Sequence, residues 1–306
     1  MARRDAHAVR RSIALTIAGS DSGGGAGVQA DLKTFAALGV HGASAITALT
    51  AQNTLGVRAI HLAPAAIVVA QIEAALEDFD VAAIKIGMLA SAGIAEAVAV
   101  RLSRPHPRPL PARGGEGRRE GAVISPPRSH AEGPGVGRSG ARPFLVYDPV
   151  MVASSGDALA GAGFVEAIRA SLLPLVDCLT PNLAEAAALL GEPIAANEDE
   201  MIRQGGALLR RGPRAVLMKG GHLDGDAVDL LVTADAVLRF AAPRIASRNL
   251  HGTGCTLSSA IAAHVVLGAT LSEAVALAKD FVRAAIERGR DIVLGGGAGP
   301  VLQFPL

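Results

Sequence analysis

Residues 13–38 read IALTIAGSDSGGGAGVQADLKTFAAL, and the order of features in that stretch decides the fold class. Ile13–Ala18 is an unbroken apolar run, as expected of a strand buried on both faces. A polar turn rich in glycine follows. Ala26–Leu38 then carries Val28, Leu32 and Phe35 on one helical face. Strand, glycine turn and helix open a βαβ unit, and the pattern recurs. Ala43–Leu49, Val81–Leu89, Phe144–Asp148, Cys178–Thr180 and Ala215–Lys219 have strand character. Ala65–Phe79, Ala90–Leu102, Gly254–Val266 and Leu271–Arg288 have helical period. This alternation predicts an α/β fold, a central and mostly parallel sheet flanked by helices on both faces. Ligands of such sheets bind beyond the carboxyl ends of the strands, so the glycine turns that follow strands should gather on one rim.

Composition narrows the function. Half of the 306 residues are apolar, enough for one large α/β domain spanning the chain. The net charge of +1 gives no global field for nucleic acid or a membrane surface. No apolar run reaches the roughly 18 residues of a spanning helix. The two cysteines, Cys178 and Cys255, are far apart, which excludes a disulfide framework and fits a reducing cytoplasm. Arg3, Arg4, Arg10 and Arg11 ahead of Ile13–Ala18 superficially resemble a secretion signal. The apolar stretch is too short and runs directly into the glycine turn, so a basic tip before the first strand is expected. Ser103–Pro143 holds eight of the seventeen prolines and eight arginines against three acidic residues, with no apolar period. Such a segment cannot bury enough surface to offset its ordering entropy, and it is expected to be a disordered insertion within the domain.

Three segments carry chemistry. In Gly19–Gly27 the glycines let backbone approach a ligand, and the helix that follows offers free N–H groups; a plain tight turn would have the same composition. Gly25–Ala30 matches the dinucleotide pattern G-x-G-x-x-A, but no acidic residue lies between Asp31 and Glu73, where the ribose partner should be. A phosphate-binding Walker loop also fails, because Leu32 precedes Lys33-Thr34 where glycine is required. In the second segment, Asn249–Ala260, the backbone N–H groups of Gly252, Thr253, Gly254 and Cys255 form a candidate anion hole for a transferring phosphoryl group. Cys255 at the helix start is expected to have a lowered pKa and to serve as a base, although a capped helix with a buried thiol would read the same. In the third, Asp148 and Glu185 follow strands and could hold Mg²⁺. A turn residue before proline and a helix-start acid are the structural alternatives.

The segments GSDSGGGAGVQADLKTFAALG, ITALTAQNT, KIGMLA, YDPVMVASSGD, LTPNLAEAAALLG, VLMKGGH and NLHGTGCTLSSA, in that order, resemble the signatures of the hydroxymethylpyrimidine/phosphomethylpyrimidine kinase family of the ribokinase-like superfamily. The resemblance covers all but the first dozen residues and the insertion. It implies ATP- and Mg²⁺-dependent phosphorylation of a pyrimidine alcohol and then of its monophosphate, in thiamine biosynthesis. It implies Gln52 as the residue holding the pyrimidine, with Asp31, Gly19 and Met88 lining the same pocket. Asp148 and Glu185 would hold the metal, Asn182 and Lys219 would serve the nucleotide, and Thr253, Gly254 and Cys255 would face the transferred group. A homodimer is implied by the resemblance alone. Ser22-Gly23 stands where Pro-Ser is usual, which is expected to loosen the first loop. Pyridoxal kinase is the nearest rival; a catalytically silent ligand-binding protein and a nicotinamide oxidoreductase are more distant ones.

Overall fold

Among the described residues nine strands form one sheet. The computed structural model describes residues 12–105, 142–151, 161, 163–221, 223 and 225–304. In chain order the elements are β1 (Ile13–Asp21), α1 (Gly27–Ala37), β2 (Gly42–Asn53), β3 (Gly56–Leu62), α2 (Ala65–Asp78), β4 (Val81–Ile86) and α3 (Ala92–Ser103). Then come β5 (Phe144–Tyr147), α4 (Phe164–Ala167), β6 (Cys178–Leu179), α5 (Leu183–Leu190), α6 (Glu198–Leu209) and β7 (Ala215–Lys219). The chain closes with β8 (Ala227–Thr233), β9 (Val237–Ala242), α7 (Thr253–Val266) and α8 (Leu271–Gly289). In the order β3-β2-β1-β4-β5-β6-β7-β8-β9, strands β2 to β7 pair parallel, while β3 pairs antiparallel with β2, β8 with β7 and β9 with β8. The expected α/β sheet is therefore present, with antiparallel margins.

Alternation along the strands sorts side chains onto two faces. Leu15 and Ile17 of β1, Ile84 and Ile86 of β4, and Val216 and Met218 of β7 pack toward α2, α3, α5 and α6. Ala14, Ala83 and Leu217 point the other way, toward α1, α7 and α8. The small residues on that second face let α7 lie close to the sheet. Every residue from Cys255 to Ala263 is buried, as expected of a helix enclosed on all sides.

The basic N-terminal tip and the core of the expected insertion, residues 106–141, lie outside the described residues, as do residues 152–160. The interruption is narrower than 103–143. Ser103 belongs to α3, and Arg142 donates two bonds to Asp177, of 2.9 and 2.8 Å, immediately before β5.

Candidate active site

The carboxyl ends of β1, β4, β5 and β7 bring the candidate residues to one rim. The turn after β5 carries Asp148, whose N–H donates to Ile86 O at 2.8 Å. The turn after β6 carries Asn182 and Glu185 in a reciprocal cap of α5. Asn182 Oδ1 accepts from Glu185 N at 2.8 Å, and a Glu185 oxygen accepts from Asn182 N at 2.7 Å. Lys219 ends β7, and its Nζ donates to Asp148 Oδ1 at 2.7 Å and lies 3.8 Å from Glu185 Oε2. These residues, far apart in sequence, form one buried cluster of two carboxylates and one ammonium.

The electrostatics of the cluster are unbalanced. Burial, with the Asp148 charge beside it, pushes the Glu185 carboxyl up to about 7, against the pull of Lys219. Burial works to lower the Lys219 ammonium, but Asp148 and Glu185 together hold it above its ordinary value. One cation is thus shared by two acids, and the second acid is short of positive charge.

Helix α7 begins against this cluster. Gly252 is its N-terminal cap at φ +82°, and a Cβ there would stand 1.9 Å from Gly25 O. Only glycine lets the two glycine-rich turns touch. A Cβ on Gly254 would lie 3.3 Å from Lys219 Nζ and 3.5 Å from Asp148 Oδ2. The first turn of α7 therefore adjoins the carboxylate–ammonium cluster, and a helix N-terminus there favours an anion, although the Thr253 N–H itself already donates to Leu250 O at 3.3 Å.

Cys255 corrects the sequence-based expectation. Its thiol is buried, and burial pushes it up to about 11, with Lys85 pulling down and Asp31 and Asp148 pushing up. The helix terminus does not outweigh desolvation, so the thiol is held in its protonated form near neutrality.

Asp31 is also placed differently from expectation. It is fully buried in α1. Its carboxylate accepts from Lys85 Nζ at 2.8 Å on both oxygens, from Thr16 Oγ1 at 2.6 Å and from Ser259 Oγ at 2.6 Å. All of its capacity is taken by protein. It ties β1, β4 and α7 together beneath the rim and does not line an open pocket. Lys85 was missed by the sequence reading, although a lysine inside a run read as a buried strand needs a buried acid.

Above that layer, Gly19 packs against Met88, a Cβ at Gly19 falling 3.2 Å from Met88 Sδ. Gln52, near the end of β2, borders two shallow depressions of about 200 and 150 Å³, shared with Asn53 and flanked by Ser22 and His251. Neither depression reaches Asp148 or Cys255. The first loop is not loosened by Ser22. Its hydroxyl donates to Gln52 O at 2.7 Å and accepts from Gln52 N at 2.8 Å, which fastens the loop to β2. Asp21 and His251, given no role from sequence, meet here with His251 Nε2 2.9 Å from Asp21 Oδ2. Among the described residues no group of three or more His, Cys, Asp and Glu side chains forms a ready metal site. No helix among them is long and apolar enough to cross a membrane.

Comparison with known proteins agrees with this geometry. The family model for phosphomethylpyrimidine kinase matches residues 21–110 and 137–302, which leaves the middle of the proline-rich segment unmatched. The hydroxymethylpyrimidine/phosphomethylpyrimidine kinase of Rhizobium meliloti is 49% identical over 96% of this chain and 97% of its own length. Among solved structures, phosphomethylpyrimidine kinase from Clostridium difficile is 39% identical with a TM-score of 0.70, over 90% of this chain and 100% of that one. An ADP complex of Bacillus subtilis pyridoxal kinase is 30% identical with a TM-score of 0.75, over 96% and 97%. By family match, near-full-length identity and fold, the chain belongs to the phosphomethylpyrimidine kinase family and has its ribokinase-like architecture.

Proposed function

We propose that the chain uses ATP to phosphorylate the alcohol of 4-amino-5-hydroxymethyl-2-methylpyrimidine and then phosphorylates the resulting monophosphate, in thiamine biosynthesis. The observation that carries this reading is the juxtaposition of the α7 N-terminus with the Asp148–Lys219–Glu185 cluster. Phosphoryl transfer asks for little covalent chemistry and much charge stabilisation, which N–H groups and a fixed ammonium supply. Gly252, Thr253, Gly254 and Cys255 would present the N–H groups, and Lys219 would draw the phosphate oxygens toward them. Gln52 would hold the pyrimidine edge above Gly19 and Met88, with Asp31 supporting that floor from beneath. Asn182 would act by fixing the turn that brings Glu185 to the nucleotide.

The residues fit a magnesium ion. Asp148 Oδ2 takes no hydrogen bond from the described residues, and the raised Glu185 carboxyl marks a place short of positive charge. Both are hard oxygen donors, and an ion held by two carboxylates keeps water and phosphate oxygens as its other ligands. Bound there, Mg²⁺ would neutralise charge on the polyphosphate. The family resemblance also supports a cytoplasmic homodimer acting on small molecules, with neither nucleic acid nor membrane as partner.

The test is turnover with the pyrimidine alcohol and ATP, with ADP release and the mono- and diphosphate products followed by mass. The likeness to pyridoxal kinase supplies the second reading. Turnover of pyridoxal with none of the pyrimidine would replace the first reading by that one.

A further inference from the structure

The closing segment of the chain, Gly299–Gln303, runs between the end of α8 and the loop that opens α7. Its backbone pairs with His251 on both sides of that residue. His251 N donates to Gly299 O at 3.1 Å, and Val301 N donates to His251 O at 3.1 Å. Helix α8 holds the segment from behind. Leu302 N donates to Ala285 O at 3.1 Å, and Arg288 donates to Leu302 O at 3.0 Å and to Gln303 O at 3.1 Å.

Two buried amides fasten the same segment at either end of the α7 opening. Asn249 Nδ2 donates to Gly289 O and Ile292 O, each at 2.6 Å, and its Oδ1 accepts from Gly299 N at 3.0 Å. A Cβ at Gly299 would collide with that oxygen, so glycine is what lets the strands of chain come this close. Gln303 Nε2 donates at 3.0 Å to the buried Thr256 hydroxyl, in the first turn of α7. Gly252–Cys255 thus lies between two anchors, Asn249 before it and Thr256 after it, joined by one segment.

The first N–H groups of a helix have no partner inside it, so whatever holds the first turn sets their direction. The Cys255 N–H would ordinarily donate to the carbonyl four residues back, His251 O. That carbonyl receives Val301 N, and no backbone carbonyl among the described residues takes the N–H of Gly254 or Cys255. We propose that Asn249 and Gln303 are positioning residues for phosphoryl transfer. Through the closing segment they hold the first turn of α7 so that the Gly254 and Cys255 N–H groups stay open to the transferred phosphate. The inference deepens the proposed function and rests on its placement of that phosphate at α7.

The experiment measures the single-turnover rate of transfer from ATP to the pyrimidine alcohol, and KM for each substrate, at a temperature where unfolding curves show every protein folded. Gln303→Leu, Asn249→Ala and Thr256→Val should each slow transfer by about tenfold or more with both KM values within about twofold of the parent. N–H groups aimed at developing charge act in the transition state and not on the bound substrates. Thr256→Ser keeps the hydroxyl and should retain most of the rate. Gln303→Leu combined with Thr256→Val should be no slower than either alone, because the two share one bond. A merely structural role would lower the melting temperature and leave the transfer rate of the folded protein at the parent value, which overturns the inference. Thr256→Ser as slow as Thr256→Val also overturns it. Should Gln303→Leu or Asn249→Ala not fold, the two Thr256 variants, which change one hydroxyl and little volume, carry the test. A parent that phosphorylates pyridoxal alone runs the same comparison on pyridoxal. A parent active on neither alcohol refutes the proposed function and this inference together, whereas an active parent with unaltered variants refutes this inference alone.

Discussion

The charge imbalance at Glu185 has a measurable consequence for stability. Its carboxyl is raised from 4.5 to about 7, chiefly by burial and by Asp148. A carboxyl that binds its proton more tightly in the folded state favours folding at low pH. That contribution is complete below 4.5 and is lost as pH rises through about 7. At about 1.4 kcal/mol per pH unit, the interval is worth about 3 kcal/mol. Glu185→Gln copies the protonated side chain and can still accept from Asn182 N, so the cap of α5 survives. The variant should match the parent near pH 4.5 and exceed it progressively above, by a difference approaching about 3 kcal/mol at pH 8. Urea unfolding of both proteins, without nucleotide or divalent ions, from pH 4.5 to 8.5 measures this directly. Catalysis should move oppositely, since the variant lacks the charge that the proposed function assigns to the phosphate side. A variant less stable than the parent at pH 8, or a difference that does not vary with pH, would refute the argument. Lys219 would then be balancing both acids.

Other substitutions test other parts of the site. Cys255→Ala leaves the α7 N–H groups in place and removes a thiol that is held protonated near neutrality. It should therefore slow the phosphorylations of the alcohol and of the monophosphate by similar factors in single-turnover assays; a loss confined to the alcohol would restore a base role. Gly252→Ala forces a side chain into a left-handed conformation, against a carbonyl 1.9 Å from its Cβ. It should cost about 2 kcal/mol or more in denaturant unfolding and depress turnover on every substrate. Replacing residues 106–141 by a short Gly-Ser linker keeps Arg142 on Asp177. Turnover should be retained and stability should change by less than about 1 kcal/mol, because closing a surface loop costs only logarithmically in its length.

The central strands were legible because their environment is written in them. Ile13–Ala18 and Ala215–Lys219 are apolar on both faces, as burial in the middle of a sheet requires, and both are strands. The marginal strands were not legible for the opposite reason. None of the seven residues of β3 is buried, and five are exposed at the sheet edge. Their strand geometry comes from pairing with β2, which a local pattern does not contain. Helices α5 and α6 were missed as elements, although their caps, Asn182 and Asn197, are ordinary start signals.

The site divides along the same physical line. Glycine turns, a helix start and acids after strands are local features, and they mark the rim correctly because a parallel sheet delivers the ends of its strands to one side. What each group does there depends on partners distant in sequence. Cys255 lies at a helix N-terminus, which by itself would favour the thiolate. The sheet against which α7 packs encloses that terminus, and desolvation wins. A pocket role for Asp31 is what the family resemblance implies, and no local pattern speaks against it. Lys85, contributed by a different strand, draws it inward and converts it into the joint on which α7 rests. The same reversal explains Asp21 and His251. Asp21 ends β1 and His251 precedes α7, and neither carries a signal in its own segment. Gly25 and Gly252 allow the two loops to approach within carbonyl contact, and that approach places Asp21 and His251 beside Gln52. The glycines of these loops thus do what no local pattern shows: they let two distant turns meet, and that meeting brings His251 Nε2 to 2.9 Å from Asp21 Oδ2.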